Sequence, residues 1–428
     1  MEDIYGSQAY KRSRAAYYIQ CVTEYLVTLL VADAFLAKLL KHIGLDDATI
    51  GIVSSLTSLA FLVQLVTILL MRHVRNVKRT VILADVSSML CFMITFLAPF
   101  VNTGQTGKTV LVFASISGGF LLKYLQLNLY YKWANSFVSP ERRGAFSARN
   151  SAISLAVGVV FSFVTGKLVD NCERAGRIET SFLIIGIVIA ALAVLDFLML
   201  LLIHPYSRED ALRQQKPLRD VLQNTLGNKG FRNVVILLSL YDIARYLCVG
   251  FLGTFKTQEL LLSVSAVQLI NIAANALRCA LSSPVGRWSD RTSFVYVYRM
   301  GLLVCALSFV FLFFTTPKTR WLIVGYTVLY NLSMTAIPFN ANNMTYNYVP
   351  IDYFVQAQAI RSSIAGVLGF LASLLGSRIL AAVQANGNRV LGIPVYGQQL
   401  LALLSLMILT GAIVFSKTVV EKQAIMKQ

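Results

Sequence analysis

Unbroken apolar runs of twenty residues or more, parted by short polar breaks, fix what this chain can become. A helix rises 1.5 Å per residue, so about 20 apolar residues cross the hydrocarbon of a bilayer. Twelve such runs are read, over 16–38, 47–71, 80–101, 109–131, 149–169, 180–203, 233–255, 265–285, 294–316, 320–348, 355–382 and 396–416. Backbone inside lipid must satisfy its own hydrogen bonds, which leaves helices or a closed barrel. A barrel needs alternating segments of about ten residues, so the unbroken runs exclude it. Composition agrees: of 428 residues, 56% are hydrophobic and 14% charged. A soluble domain carries about 25% charged residues to cover a far smaller apolar mass. The expected fold is an all-α membrane protein of twelve transmembrane helices.

The longest polar break, 204–232, divides the chain into expected six-helix halves, 1–203 and 233–428. Lys and Arg total 38 against 20 Asp and Glu, a net charge of +18. The basic residues favour the two tails and the even-numbered breaks by roughly two to one, which places both termini and the central break in the cytoplasm. That accounts for the positive charge without nucleic acid, and no stretch interleaves basic residues with aromatics as a single-strand platform does. Trp133 and Trp288 are expected at the inner interface and Trp321 at the outer one. The polar start, Met1 to Arg14, leads into a full-length run and does not read as a cleaved signal. The six cysteines lack metal-ligand spacing and read as small buried hydrophobes, apart from Cys172 in a polar break. No cofactor or metal is expected.

The halves echo each other. Arg149 to Ser151 opens the fifth run, which ends near Gly166; Arg361 to Ser363 opens the eleventh, which ends near Gly376. Pro140 and Pro350 precede them, and Glu24 aligns with Asp242. Parallel repeats of this kind place a solute site near mid-bilayer.

Two short motifs carry a family resemblance. After the eighth run stands Gly286-Arg287-Trp288-Ser289-Asp290-Arg291, and after the fourth Pro140-Glu141-Arg142-Arg143-Gly144. The first resembles the G-x-x-x-D-R loop of the major facilitator superfamily, and the second is typical of the same transporters. The resemblance implies that spans 1, 4, 7 and 10 line a cavity while 3, 6, 9 and 12 are peripheral. It also implies a gate at Gly286, Asp290, Arg291, Arg142 and Arg143. Physically, a glycine permits close helix ends, and Asp290 can accept charge-assisted hydrogen bonds. Residues Met71 to Arg79 keep the basic character but lack the glycine and aspartate. The fifth run has no Gly-Pro pair and the central break no sugar-porter signature, so neither the drug/proton antiporters nor the sugar porters are matched.

A charge inside a membrane is costly and marks function by default. Glu24 and Asp242 fall at equivalent depths in spans 1 and 7 and are candidates for proton coupling, unless Asp242 merely pairs with Arg245. Asp33 lies on the opposite side of its helix from Glu24. Asp85 and Asp196 fall in peripheral spans and are expected to be structural. Lys123, Gln126 and Tyr130 share one side of span 4. Gln268, Asn271, Asn275 and Arg278 form one stripe on span 8, and Asn340 and Asn343 one side of span 10 beyond Pro338. Such stripes serve a solute path or interhelical hydrogen bonds.

The expected function is secondary active transport of a small polar solute, a sugar or organic anion, coupled to protons and working by alternating access. Efflux of lipophilic cations is the rival within the same fold. A membrane-embedded enzyme or receptor is the rival outside it. No HExxH, GxSxG or P-loop is present. The expected partners are the solute, the proton and the lipid bilayer, with the chain a monomer in the cell membrane.

Overall fold

A computed structural model describes residues 7–63, 74, 76–138, 143–204, 218–350, 353–390 and 392–425. The helices are α1 (Gln8–Leu30), α2 (Asp33–His42), α3 (Asp47–Ala60), α4 (Val77–Leu97), α5 (Gln105–Ser136), α6 (Arg143–Arg174), α7 (Ile178–Leu202), α8 (Leu218–Thr225), α9 (Lys229–Cys248), α10 (Val264–Arg291), α11 (Phe294–Phe313), α12 (Leu322–Tyr346), α13 (Phe354–Ala385) and α14 (Gly397–Phe415). Each apolar run read from the sequence overlaps a helix, though the second holds only α3 among the described residues; intrahelical bonding is what lipid permits. Polar side chains start several of them. Asp46 caps α3 through Thr49 N–H, Asn76 caps α4 through Arg79 N–H, and Asn228 caps α9 through Gly230 and Phe231 N–H.

Ten helices among the described residues are long and apolar enough to cross a membrane. The bent pair α1–α2 makes an eleventh, turned by 47° at Val31–Ala32. The bend replaces the single straight run expected over 16–38. Asp33 opens α2 with φ 45°, a left-handed conformation that Asp tolerates better than most side chains. The rest of the second expected run, beyond Val63, lies outside the described residues. Exposed aliphatic side chains recur at helical spacing, as in Val157, Val160 and Val164 of α6 and Ile187, Val194 and Leu198 of α7. Such stripes suit a lipid solvent.

Two compact units form. The first comprises residues 1–45, 63–215 and 263–265. In it α4 packs on α5 and α7, and α1 on α6 and α7. Tyr17, Val81, Leu129, Trp133, Phe137 and Leu200 form part of one core. Trp133, expected at the inner interface, does not face outward. It is fully buried, and its indole N–H donates to the His204 carbonyl at 2.7 Å. The ring finds its acceptor inside the protein and so needs no water.

The second unit comprises residues 46–62, 216–262 and 266–428. Here α9 packs on α13 and α14, α11 on α12 and α14, and α3 on α13. Glycines set the closest approaches: a Cβ on Gly366 would collide with the Ser58 carbonyl oxygen, and one on Gly376 would meet the Leu247 carbonyl oxygen. The expected loop Gly286–Arg291 is instead the end of α10, with Pro284 inside the helix. A Cβ on Gly286 would meet nothing within 4 Å, so close packing does not explain that glycine. Trp288 and Trp321 are exposed. Arg389–Val390 and Ile393–Pro394 pair as a minimal antiparallel ribbon between α13 and α14.

Candidate functional site

The second unit holds a cavity of about 300 Å³. Helical periodicity builds it, since residues three and four apart share a face. Leu238, Tyr241, Asp242 and Arg245 line it from α9; Met334, Ile337, Pro338 and Ala341 from α12; Arg361, Ser362, Ala365 and Gly366 from α13. Phe61, just past α3, completes a wall. Pro338 cannot donate to the carbonyl of Met334, which loosens α12 where it borders the cavity.

The charges in this cavity do not cancel. Arg245 and Arg361 both lie near enough to Asp242 to act on it, yet no ion pair joins them among the described residues. The Arg245 guanidinium lies over the Tyr246 ring, 4.9 Å from its centroid. Arg361 donates through Nη2 to Asn342 Oδ1 at 3.3 Å. Arg245 Nε and Arg361 Nη1 are buried without an acceptor. Two guanidiniums facing one carboxylate leave a net positive cavity with unmet donors. A carboxylate or phosphate would satisfy both needs, because guanidinium offers a fork of N–H groups.

A second polar cluster lies in the first unit. Lys123 Nζ reaches Glu24 Oε1 at 3.0 Å and donates to Thr28 Oγ1 at 2.7 Å. The Gln126 amide donates to Asp85 Oδ1, and the Tyr130 hydroxyl to Gln20 Oε1. Cys21 Sγ lies 3.3 Å from the Tyr130 hydroxyl. Thr23 Oγ1 lies 2.6 Å from Asp196 Oδ1. Thus Glu24, Lys123, Gln126 and Tyr130, expected on two cavity-lining spans, lie in one cluster, but Glu24 pairs with Lys123, Gln126 with Asp85 and Tyr130 with Gln20.

The remaining predicted residues are dispersed. On α10, Gln268 is buried while Asn271, Asn275 and Arg278 are half-buried; none lines the cavity described above. Asn340 is fully buried, accepts from the Ser289 hydroxyl, and donates to the Ala336 carbonyl at 2.7 Å. Asn343 is half-buried.

The sequence profile of the Major Facilitator Superfamily matches residues 20–377. The chain belongs to the major facilitator superfamily. Solved structures repeat the fold. A variant of the nucleoside transporter NupG superposes with TM-score 0.74 at 13% identity, over 95% of this chain and 99% of that one. A bacterial homologue of the human lysosomal transporter Spinster, inward-facing and unoccupied, gives 0.68 at 12%, over 97% of each. A D-xylose–proton symporter gives 0.66 at 13%, over 94% and 97%. No curated protein matches the chain in sequence. As a major facilitator, the protein is a multi-pass membrane transporter and not an enzyme.

Within this major facilitator the motif residues Asp290 and Arg291 are exposed at the end of α10, with no ion pair among the described residues. Arg142 and the side chain of Arg143 lie outside the described residues. Ser289, just before Asp290, is buried and bonded to Asn340, so this motif ties α10 to α12. Sequence reading missed Arg361, Tyr241, Tyr246 and Met334. A signal for Arg361 existed: it lies inside the apolar run 355–382, yet close enough to its start to read as interfacial.

Proposed function

We propose that the protein carries a small organic anion across the cell membrane by alternating access, coupled to protons. The observation that supports this reading is the pair of half-buried guanidiniums, Arg245 and Arg361, each with a buried, unmet N–H group at a cavity of about 300 Å³. That volume lies at the small end of ligand sites. The excess of two Arg over one Asp favours an anion above a neutral sugar, and opposes a lipophilic cation. In this reading Arg245 and Arg361 grip the anionic group, Asp242 sets their spacing, and Glu24 with Lys123 serves proton coupling. The six-helix halves 1–203 and 233–428, joined by 204–232, move about the solute, with Gln268, Asn271, Asn275, Arg278 and Asn343 along its path. Asp290, Arg291, Arg142 and Arg143 form the cytoplasmic gate. The chain acts as a monomer with both termini in the cytoplasm.

The test is thermal stability of the purified protein against organic acids, sugars, nucleosides and lipophilic cations, followed by flux into vesicles holding only this protein. A ligand stabilises by RT ln(1 + [L]/Kd), so weak substrates register at millimolar concentration. Stabilisation by an organic acid that disappears in Arg361→Ala supports the reading. Stabilisation by lipophilic cations alone overturns it.

A further inference from the structure

Asp85 of α4 and Asp196 of α7 are 2% and 0% exposed and lie against each other. Each carboxyl has one oxygen in a hydrogen bond: Asp85 Oδ1 takes the Gln126 amide, and Asp196 Oδ1 faces the Thr23 hydroxyl. Each has a second buried oxygen, Oδ2, with no donor. The amide oxygen of Gln126, itself buried, is also without a donor.

Counting protons sharpens the deficit. The Thr23 hydroxyl owns one proton, yet two acceptors are in reach: Asp196 Oδ1 at 2.6 Å and the Gln20 carbonyl at 2.7 Å. If Thr23 donates to the carbonyl, the contact with Asp196 needs a proton from Asp196. The two adjoining carboxyls equally need a proton between them, because two adjacent carboxylates cannot both stay ionised away from water. The other charged groups facing the pair are Glu24 from α1 and Lys123 from α5. These two already satisfy each other at 3.0 Å, so Lys123 is not free to neutralise the aspartates.

We propose that Asp85 and Asp196 form a proton-binding site, a carboxyl pair that carries one proton between α4 and α7. This rests on the proton-coupled reading above and moves the proton store from Glu24 to the buried pair beside it. Losing the proton leaves two facing carboxylates, which Lys123 can offset only by releasing Glu24. Proton occupancy is thereby tied to the α1–α5 ion pair, which gives the site a route to affect the packing of its unit.

Infrared spectra of the full-length protein in lipid nanodiscs at neutral pH test this, with natural and carboxyl-¹³C aspartate. The expected result is a protonated-carboxyl C=O band that shifts with labelled aspartate. It should survive Asp242→Asn, and vanish in Asp85→Asn and in Asp196→Asn. Absence of any aspartate-dependent band in the unaltered protein overturns the proposal, as does a band that persists in both asparagine variants. Should neither of those variants fold, Asp242→Asn decides: loss of the band there overturns the proposal and its retention supports it. The band needs no solute. A failed solute panel with the band present therefore sinks the anion-transport reading alone, and flux without the band sinks this inference alone.

Discussion

Lys123 holds Glu24 across α5 and α1, Nζ to Oε1 at 3.0 Å, while both side chains stay mostly out of solvent at 16% and 22% exposure. Exposed pairs contribute about 0–1 kcal/mol, whereas breaking a fully buried one costs about 3–5. This pair falls between, so Glu24→Gln or Lys123→Met should each cost about 1–3 kcal/mol. The double variant should cost less than the sum of the two, because neither charge is then left alone. Melting of the three variants in one detergent checks this. Strict additivity would mean that the two charges do not interact.

Arg361 carries a different prediction. Hydrogen bonds to charged groups contribute about 1.5–3 kcal/mol, so Arg361→Ala should weaken binding of an organic anion by about 10- to 150-fold. Arg245→Ala should do the same. Arg361→Lys keeps the charge but loses the fork, and should recover only part of the affinity. Thermal shift titrations of the three variants give the comparison. Equal affinity in Arg361→Ala and the unaltered protein would remove Arg361 from the site.

How much of this was legible follows from which forces act along one helix and which act between helices. Run length alone located the long helices, since lipid thickness and helix rise are fixed quantities. The extension of α6 and α13 to 32 residues each was not legible, because polar residues continue a helix into water without an apolar signature. Nor was the bend at Val31–Ala32, where neither proline nor glycine stands. Gly366 and Gly376 could be read as close-contact positions from residue size. Which side chains meet depends on helix rotation, which one sequence does not encode locally. Asp85 and Asp196 thus looked like separate structural residues until α4 and α7 were packed together.

The bond from Ser289 to Asn340 makes the family motif a stability element. Asn340 is fully buried, so Ser289→Ala should strand its Oδ1 and cost about 1–3 kcal/mol. Removing both groups in Ser289→Ala with Asn340→Leu should cost less than the single change, since no polar atom is then left unmet. Denaturation midpoints decide it. A double variant weaker than the sum of the singles would point to lost packing at α12 instead.

Gly366 faces the Ser58 carbonyl oxygen, and backbone cannot rotate away as a side chain would. Gly366→Ala should force α3 from α13 and lower the melting temperature. Gly387→Ala tests a different cause, because nothing lies within 4 Å there and only its φ of 65° resists a side chain. It should cost about 1–2 kcal/mol, the usual left-handed penalty. A Gly366→Ala protein as stable as the unaltered one would show that α3 shifts freely.

Asp170 of α6 caps α10 from outside that helix. Its Oδ1 accepts from Val264 N–H at 2.8 Å and its Oδ2 from Ser265 N–H at 3.0 Å. Carboxylate charge also suits the positive end of a helix dipole. Gly166, one turn earlier, lets the two backbones approach, for a Cβ there would sit 3.0 Å from Ser265 Cα. Loss of a cap costs about 0.5–2 kcal/mol. Asp170→Ala should therefore destabilise by that amount and speed hydrogen exchange at Val264 and Ser265. Asp170→Asn keeps one acceptor oxygen and should protect only one of the two amides. Exchange at these two positions, followed by mass spectrometry of the full-length protein, reads the effect directly. Unchanged exchange in Asp170→Ala would mean that other groups cap Val264 and Ser265.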